Sequence, residues 1–194
     1  FRVLPLYRND NYMSLFNIHS VQANHPSPFE DYQKFINNEG SVMFDAGALF
    51  RVPERMKFLN LKYIITQYIP SDTAGYDTRS KQAIIQYKEM FNSMGYSRYK
   101  NTGTHTLWKS GEYLPRIYAV NDFIVEDNIE KVLDLMDNNS FNSKYTAVVS
   151  KNPSITRSTD SLNYSISDIE YMPNSVQFSI EANDHCIVIL GDQN

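Results

Sequence analysis

Met56-Lys57-Phe58-Leu59-Asn60-Leu61-Lys62-Tyr63-Ile64-Ile65-Thr66 decides how this chain is arranged. It reads as a short helix, begun at Pro53 with Met56 and Leu59 inward, that passes through Asn60 into a buried strand. Leu61, Tyr63 and Ile65 alternate with Lys62, Ile64 and Thr66. The spacing therefore predicts one wholly apolar face and one mixed face, the pattern of an inner strand covered on one side.

Outward from this strand, helix and strand signals alternate. Phe1-Arg2-Val3-Leu4-Pro5-Leu6-Tyr7 is a short extended run in which Pro5 removes a ladder donor, which suits an edge strand. Ser27 as N-cap, Pro28 at the first helical position and Glu30 three residues after the cap form a capping box, with Phe29, Tyr32 and Ile36 on one face and Gly40 as the stop. From Asp77 or Thr78 a longer helix carries Ala83, Ile84, Tyr87, Phe91 and Met94 on one stripe and is capped by Gly95. Residues 96–100, 104–109 and 114–120 predict three strands of an antiparallel meander, the first two joined at Asn101-Thr102-Gly103. Asp127 and Glu130 form a second capping box, opening a helix with Ile129, Val132, Leu133 and Met136 inward, and 145–149 is a strand.

The Ser- and Thr-rich stretch 151–161 is the best internal boundary. After it the pattern is purely strand, over 164–171, 175–181 and 185–190, with turns at Met172-Pro173-Asn174 and near Asn183-Asp184. Val176, Phe178 and Ile180 alternate with polar neighbours, so this sheet has one wet face. The expected class is α+β: a mixed α/β lobe over 1–150 with a central sheet and packed helices, followed by an antiparallel β segment over 151–194 packed on it.

Composition bounds the function. A chain of 194 residues buries roughly 70% of its unfolded surface, enough for a real core. The 14 Tyr favour strands and wet surfaces. A formal charge of −4 without any Lys/Arg run leaves no electrostatic footprint for nucleic acid or anionic lipid, so neither is expected as a partner. Cys186 is the only cysteine, which excludes an internal disulfide and a multi-cysteine zinc site; its place in Cys186-Ile187-Val188-Ile189-Leu190 reads as a buried, inert thiol. No apolar window approaches the roughly 18 residues needed to span a bilayer. The chain opens at Phe1 directly in a strand-like pattern, and it is read as a segment of a longer protein.

Candidate chemistry is sparse. His19 and His25 flank a loop, and His105 and His185 lie in strand runs; no pair has the i, i+4 spacing of a helical zinc site. His25 is the best placed of them as a ligand. No nucleophile elbow, P-loop or dinucleotide fingerprint occurs. Asp10, Asp45, Asp72 and Asp77 sit in loops, where turn and cap roles account for them. No cofactor or metal is expected. Aromatic rings remain: Trp108, Tyr113, Tyr118, Tyr68 and Tyr76 occur among polar residues, where exposed rings stack on sugar faces while Asn and Asp bind hydroxyls. The candidate binding residues are Trp108, Tyr113, His25 and Tyr76.

Four ordered segments carry a family resemblance. They are Phe1-Arg2-Val3-Leu4-Pro5; Ser14-Leu15-Phe16-Asn17-Ile18-His19-Ser20-Val21-Gln22 with His25-Pro26 and Tyr32-Gln33; Phe58-Leu59-Asn60-Leu61-Lys62-Tyr63-Ile64-Ile65; and Leu114-Pro115-Arg116-Ile117-Tyr118-Ala119-Val120. A weaker match follows at Tyr171-Met172-Pro173-Asn174-Ser175-Val176. Together they resemble the extracytoplasmic part of the YfhO-like bacterial membrane protein family, polytopic proteins of the type that transfers sugars from lipid-linked donors.

The resemblance implies a non-catalytic accessory domain on the extracytoplasmic face of the bacterial cell membrane. Its implied partners are the membrane-embedded part of the same parent chain and a cell-envelope glycan acceptor. In such proteins the acidic catalytic residues lie in the membrane-embedded part, so no catalytic residue carries over. Two departures stand out. Ala23-Asn24 replaces a Gly-Tyr-like step before His25-Pro26, and the chain stops at Gly191-Asp192-Gln193-Asn194 where the family continues, so the last sheet is expected to be short of a strand. Two other readings from the residues alone are a free-standing surface or secreted carbohydrate-binding module using Trp108 and loop tyrosines, and a hydrolase centred on His25.

Overall fold

Leu61–Gln67 is the second strand, β2, of a four-stranded sheet in the computed structural model of this protein, which describes residues 1–6, 18–21, 30–41, 43–138, 140–156, 161–172 and 175–191. Its partners are β1 (Arg2–Pro5), β3 (Tyr96–Asn101) and β4 (His105–Ser110), in the order β1-β2-β4-β3. β1 runs parallel to β2 at one edge, as Pro5 predicts, and the other pairings are antiparallel. Helices α1 (Glu30–Phe35), α2 (Ala46–Phe50), α3 (Pro53–Met56) and α4 (Thr78–Ser93) belong to the same unit. Leu4, Leu49, Leu61, Ile64, Phe91 and Trp108 are the centre of its core.

The short helix does pass into the strand through Asn60. A 3-10 turn, Lys57–Leu59, follows α3, and Asn60 ends it in the left-handed conformation, with φ of 56° and its N–H donating to the Lys57 carbonyl at 3.1 Å. Asn is one of the few residues with a side chain that visits this region readily.

The faces of β2 differ from the simple alternation. Leu61 and Ile64, three residues apart, are both fully buried, whereas Tyr63 and Ile65 are half-buried. The register explains it: Arg2 pairs with Leu61 and Val3 with Tyr63, so Lys62 is skipped and forms a bulge. One extra residue exchanges the faces beyond it. The mixed set, Ile64 and Thr66, thus points into the core.

Local punctuation matches the sequence where the signal is a glycine or a side-chain cap. Gly95 (φ 78°) follows α4, Asp77 caps its start, and Gly103 (φ 85°) turns the β3–β4 hairpin. Helix α1 ends sooner than Gly40, because Asn37 adopts φ of 56° first. Its expected cap, Ser27 with Pro28, lies outside the described residues.

The chain divides into two units, Phe1–Tyr113 and Leu114–Asn194, so the composition change near Lys151 falls inside the second. The second unit contains β5 (Ile117–Val120), β6 (Asp122–Val125), α5 (Ile129–Asp137), β7 (Thr146–Val149), β8 (Tyr164–Met172), β9 (Ser175–Ala182) and β10 (Ile187–Leu190). β5 is not the third strand of a meander: β2 and β3 already flank β4, and β5 pairs antiparallel with β10. β6 and β7 are parallel on either side of α5 in sequence, and β8 and β9 form a hairpin. Helix α5 is capped by Asn128 rather than Asp127; its Oδ1 accepts from the Glu130 and Lys131 N–H groups at 3.0 and 3.2 Å. Val176, Phe178 and Ile180 alternate with exposed neighbours as expected. Cys186 precedes β10 and is half-buried rather than buried. Among the described residues no helix is long and apolar enough to cross a membrane.

Two predictions follow from this packing. Asn60→Ala and Asn60→Gly both delete the buried amide, so their difference isolates the left-handed backbone. The glycine variant should be the more stable by about 1 kcal/mol in chemical unfolding. Burial raises the Tyr96 pKa and pushes Tyr118 up to about 12, the latter reinforced by Tyr164. Unfolded tyrosine ionises near 10, so this stabilisation is complete below pH 10 and disappears as pH rises through 12. Unfolding midpoints measured from pH 8 to 12 should fall most steeply above 10, and Tyr118→Phe should flatten that fall.

Candidate functional site

Trp108, the first ring singled out from sequence, is not a surface ring. It is 1% exposed, pairs across β2–β4 with Ile64, and lies 4.7 Å from Phe91 between ring centroids. Its alternation with polar neighbours comes from strand geometry, which sends Trp108 inward while Leu107 and Lys109 face the other way. A buried indole N–H needs an acceptor. Thr66 supplies it, its Oγ1 3.3 Å from Trp108 Nε1, and the same hydroxyl donates to the Thr106 carbonyl at 3.4 Å.

The network continues to the end of β2. The Ile69 N–H donates to Thr106 Oγ1 at 2.9 Å, and the Tyr68 N–H to the Thr104 carbonyl at 2.9 Å. Arg98 places its guanidinium 5.6 Å from the Trp108 ring and donates through Nη2 to the carbonyls of Ile69 and Pro70, at 2.7 and 3.1 Å. The backbone from Thr66 to Pro70 is therefore fixed from two sides. Opposite stands α4, whose first turn is fixed by Asp77: it accepts from the Ser80 N–H at 3.0 Å and from the Ser80 hydroxyl at 2.6 Å. The Ser80 hydroxyl bond is the main reason the Asp77 carboxyl stays below its ordinary pKa. Lys88 on α4 donates to the Ser71 carbonyl at 3.0 Å and ties helix to loop.

Between these two elements lies a groove of about 580 Å³, within the usual range for small-ligand sites. Thr66, Gln67, Tyr68, Ser80, Ile84 and Tyr87 are among the residues that line it, and among the described residues none of its lining side chains is charged. Tyr68 and Tyr87 are 43% and 53% exposed, so ring surface and hydroxyls are open. Along the apolar stripe of α4, Phe91 is buried and Ile84 and Met94 are half-buried, while Ala83 and Tyr87 are exposed on the groove. Hydroxyl and amide groups stand beside aromatic surface in this lining.

The other sequence candidates are dispersed. Tyr113 is half-buried and accepts the ammonium of Lys62, whose pKa is raised chiefly by that hydrogen bond; Lys62 Nζ is 4.9 Å from the Tyr113 ring centroid. Tyr76 is 43% exposed and its N–H donates to the Thr73 carbonyl in a turn. Tyr118 is buried in β5. His25 lies outside the described residues, as does Asp10. Asp45 accepts from the Gly47 N–H and Asp72 from the Ala74 N–H, the turn and cap roles expected. Among the described residues no group of three His, Cys, Asp or Glu could hold a metal ion. Tyr87 and Ser80 escaped the sequence reading because helical spacing alone cannot tell a stripe that meets a core from one that meets a groove.

Trp108→Ala should destabilise the fold by about 3–5 kcal/mol through the cavity left behind. Thr66→Val should cost about 1–3 kcal/mol by orphaning the indole N–H. Both are read from urea unfolding midpoints; an unchanged midpoint for Thr66→Val would remove the hydroxyl network as a constraint.

No protein-family model, curated protein or solved structure matches the chain.

Proposed function

We propose that this chain is a non-catalytic extracytoplasmic accessory domain of a polytopic membrane protein of the lipid-linked-sugar glycosyltransferase type, and that it positions a glycan acceptor. The observation that carries the binding role is the groove between the end of β2 and α4, open at Tyr68 and Tyr87, whose described lining residues are all uncharged. Its walls are fixed before any ligand arrives, by the Thr66–Thr106–Trp108 hydroxyl chain, Arg98 and the Asp77 cap. Preorganisation of this kind lowers the entropy lost on binding. Sugar rings present C–H faces to tyrosine and hydroxyls to Gln67 and Ser80.

The membrane assignment is supported by the family resemblance. The segments that carry it include β1, β2 as far as Ile65, and β5, which build sheets and core; the groove-lining Thr66 and Gln67 of β2 follow them. Transfer chemistry belongs, on this reading, to the membrane-embedded part of the same parent chain, on the extracytoplasmic face of the bacterial cell membrane. A free-standing carbohydrate-binding module would use the same groove.

Calorimetric titration of the chain with a panel of neutral cell-envelope oligosaccharides tests the reading. Tyr68→Ala and Tyr87→Ala should each weaken binding by about 1–2 kcal/mol, roughly five- to thirtyfold, with unchanged thermal unfolding because both side chains are exposed. Absence of binding across the panel, or binding indifferent to both substitutions, would overturn the glycan role. A parent reading frame with no membrane helices before Phe1 would leave the free-standing module instead.

A further inference from the structure

The first sheet has a charge asymmetry that the linear sequence hides. β1 to β4 carry Arg2, Lys62, Arg98, Lys100 and Lys109 and not one Asp or Glu, in a chain of formal charge −4. These cations never form a run in sequence. The strand register gathers them.

Residues paired across strands share a face. Ile64, Trp108 and Arg98 are one such row, on the core side. The next rows face the other way: Tyr63 with Lys109 and Ser97, and Ile65 with Leu107 and Lys100. Two bulges add to this outer face. Lys62 is skipped between β1 and β2, and Tyr99 is skipped between β3 and β4.

The result is a field of ammoniums set among rings. Lys62 Nζ stands 4.8, 5.6 and 4.9 Å from the ring centroids of Phe1, Tyr63 and Tyr113, and Lys109 Nζ stands 5.3 Å from that of Tyr99. Tyr63 lies 5.6 Å from Tyr99 and 5.5 Å from Phe1. Phe1 and Tyr99 are 53% and 57% exposed, and Lys100 is exposed. Glu112, a carboxylate close in sequence, lines a hollow with Tyr96 and Ser110, both buried on the core side.

A sugar would need a free ring face, and here Lys62 and Lys109 lie over the rings. An anionic headgroup layer needs what is present: clustered ammoniums for lipid phosphates, with rings and aliphatic groups beside them. Lysines extend their stems along apolar surface while their heads reach phosphate, and tyrosines sit at headgroup depth. We propose that the outer face of β1–β4 is a docking surface for an anionic lipid bilayer, with Lys62, Lys100 and Lys109 meeting headgroup phosphates and Phe1, Tyr63 and Tyr99 entering the interfacial layer. This goes beyond the glycan role and does not rest on it, since none of these six residues lines the groove.

Co-sedimentation of the chain with phosphatidylglycerol–phosphatidylcholine vesicles and with phosphatidylcholine vesicles tests it. Binding should be at least about tenfold stronger to the anionic vesicles and should be lost as salt screens the surface. The combined Lys62→Glu, Lys100→Glu and Lys109→Glu variant should lose it, while Lys81→Glu on α4, the helix that meets the opposite face of the sheet through Phe91 and Trp108, should retain it. The neutral pair Lys62→Gln and Lys109→Gln, with an unchanged thermal transition, should bind about tenfold more weakly and guards against misfolding of the charge reversals. Equal binding to both vesicle types, undiminished binding by the triple variant, or binding to a soluble anionic polysaccharide with none to vesicles would overturn the proposal. Tyr68→Ala should leave vesicle binding intact, which separates failure of this surface from failure of the glycan groove.

Discussion

Trp108 has to be buried with its indole N–H satisfied, and the way that is done governs the first unit. The ring is too large to lie between strands without a matching partner, and Phe91 from α4 meets it at 4.7 Å. That contact sets how α4 is placed against β4. The N–H in turn obliges a hydroxyl at position 66, which is why a strand otherwise suited to valine or isoleucine carries a buried threonine there. Thr66 passes the demand to Thr106, and Thr106 serves Ile69. A constraint that begins with one indole nitrogen ends by fixing the backbone that forms a groove wall.

The same sheet carries two chemistries because of two single-residue irregularities. Without the bulge at Lys62, the run of apolar residues at Tyr63 and Ile65 would lie on the face of Leu61, and Ile64 and Thr66 would turn outward. Trp108 would then have no acceptor. The bulge therefore serves the core first, and its extra residue is free to be a lysine. Tyr99 repeats the device on β3, leaving Arg98 inward on Trp108 and Tyr99 outward. Bulges bend and twist a strand locally, and both of these lie where ring and ammonium need to meet.

Legibility in the sequence followed the range of the interaction. The cap at Asp77, the stop at Gly95, the turn at Gly103 and the alternation of Val176, Phe178 and Ile180 are local, and each was readable from a few neighbouring residues. The cap at Asn128 and the stop at Asn37 were displaced by a few positions, since Asn competes with Asp and Gly for the same geometry. The β5–β10 pairing joins distant parts of the chain, and no local pattern announces it. The inward face of β2 depended on a bulge defined by the register of β1. The candidate site was legible only in part. Tyr68 is one of the rings that stand among polar residues, but its counterpart Tyr87 falls on an apolar helical stripe, and Trp108, which the pattern of its neighbours places at the surface, is 1% exposed.

Tyrosine explains why. A residue with an apolar body and a polar tip satisfies burial, cation contact and open binding surface equally well, so its abundance says nothing of where a site lies. Tyr96 is buried and donates to the Leu61 carbonyl at 2.8 Å. Tyr63, Tyr99 and Tyr113 hold lysines. Tyr68 and Tyr87 stand at the edge of the groove. What separates these roles is the charge of the neighbours each ring acquires from other strands and helices. A ligand that stacks on a ring beside an ammonium has to displace that cation contact, worth about 0.5–1 kcal/mol at an exposed site. Tyr68 and Tyr87 acquire only hydroxyl, amide and apolar neighbours among the described lining residues. The strand register thus decides which of these surroundings a ring acquires, which is why tyrosine content alone does not locate a site.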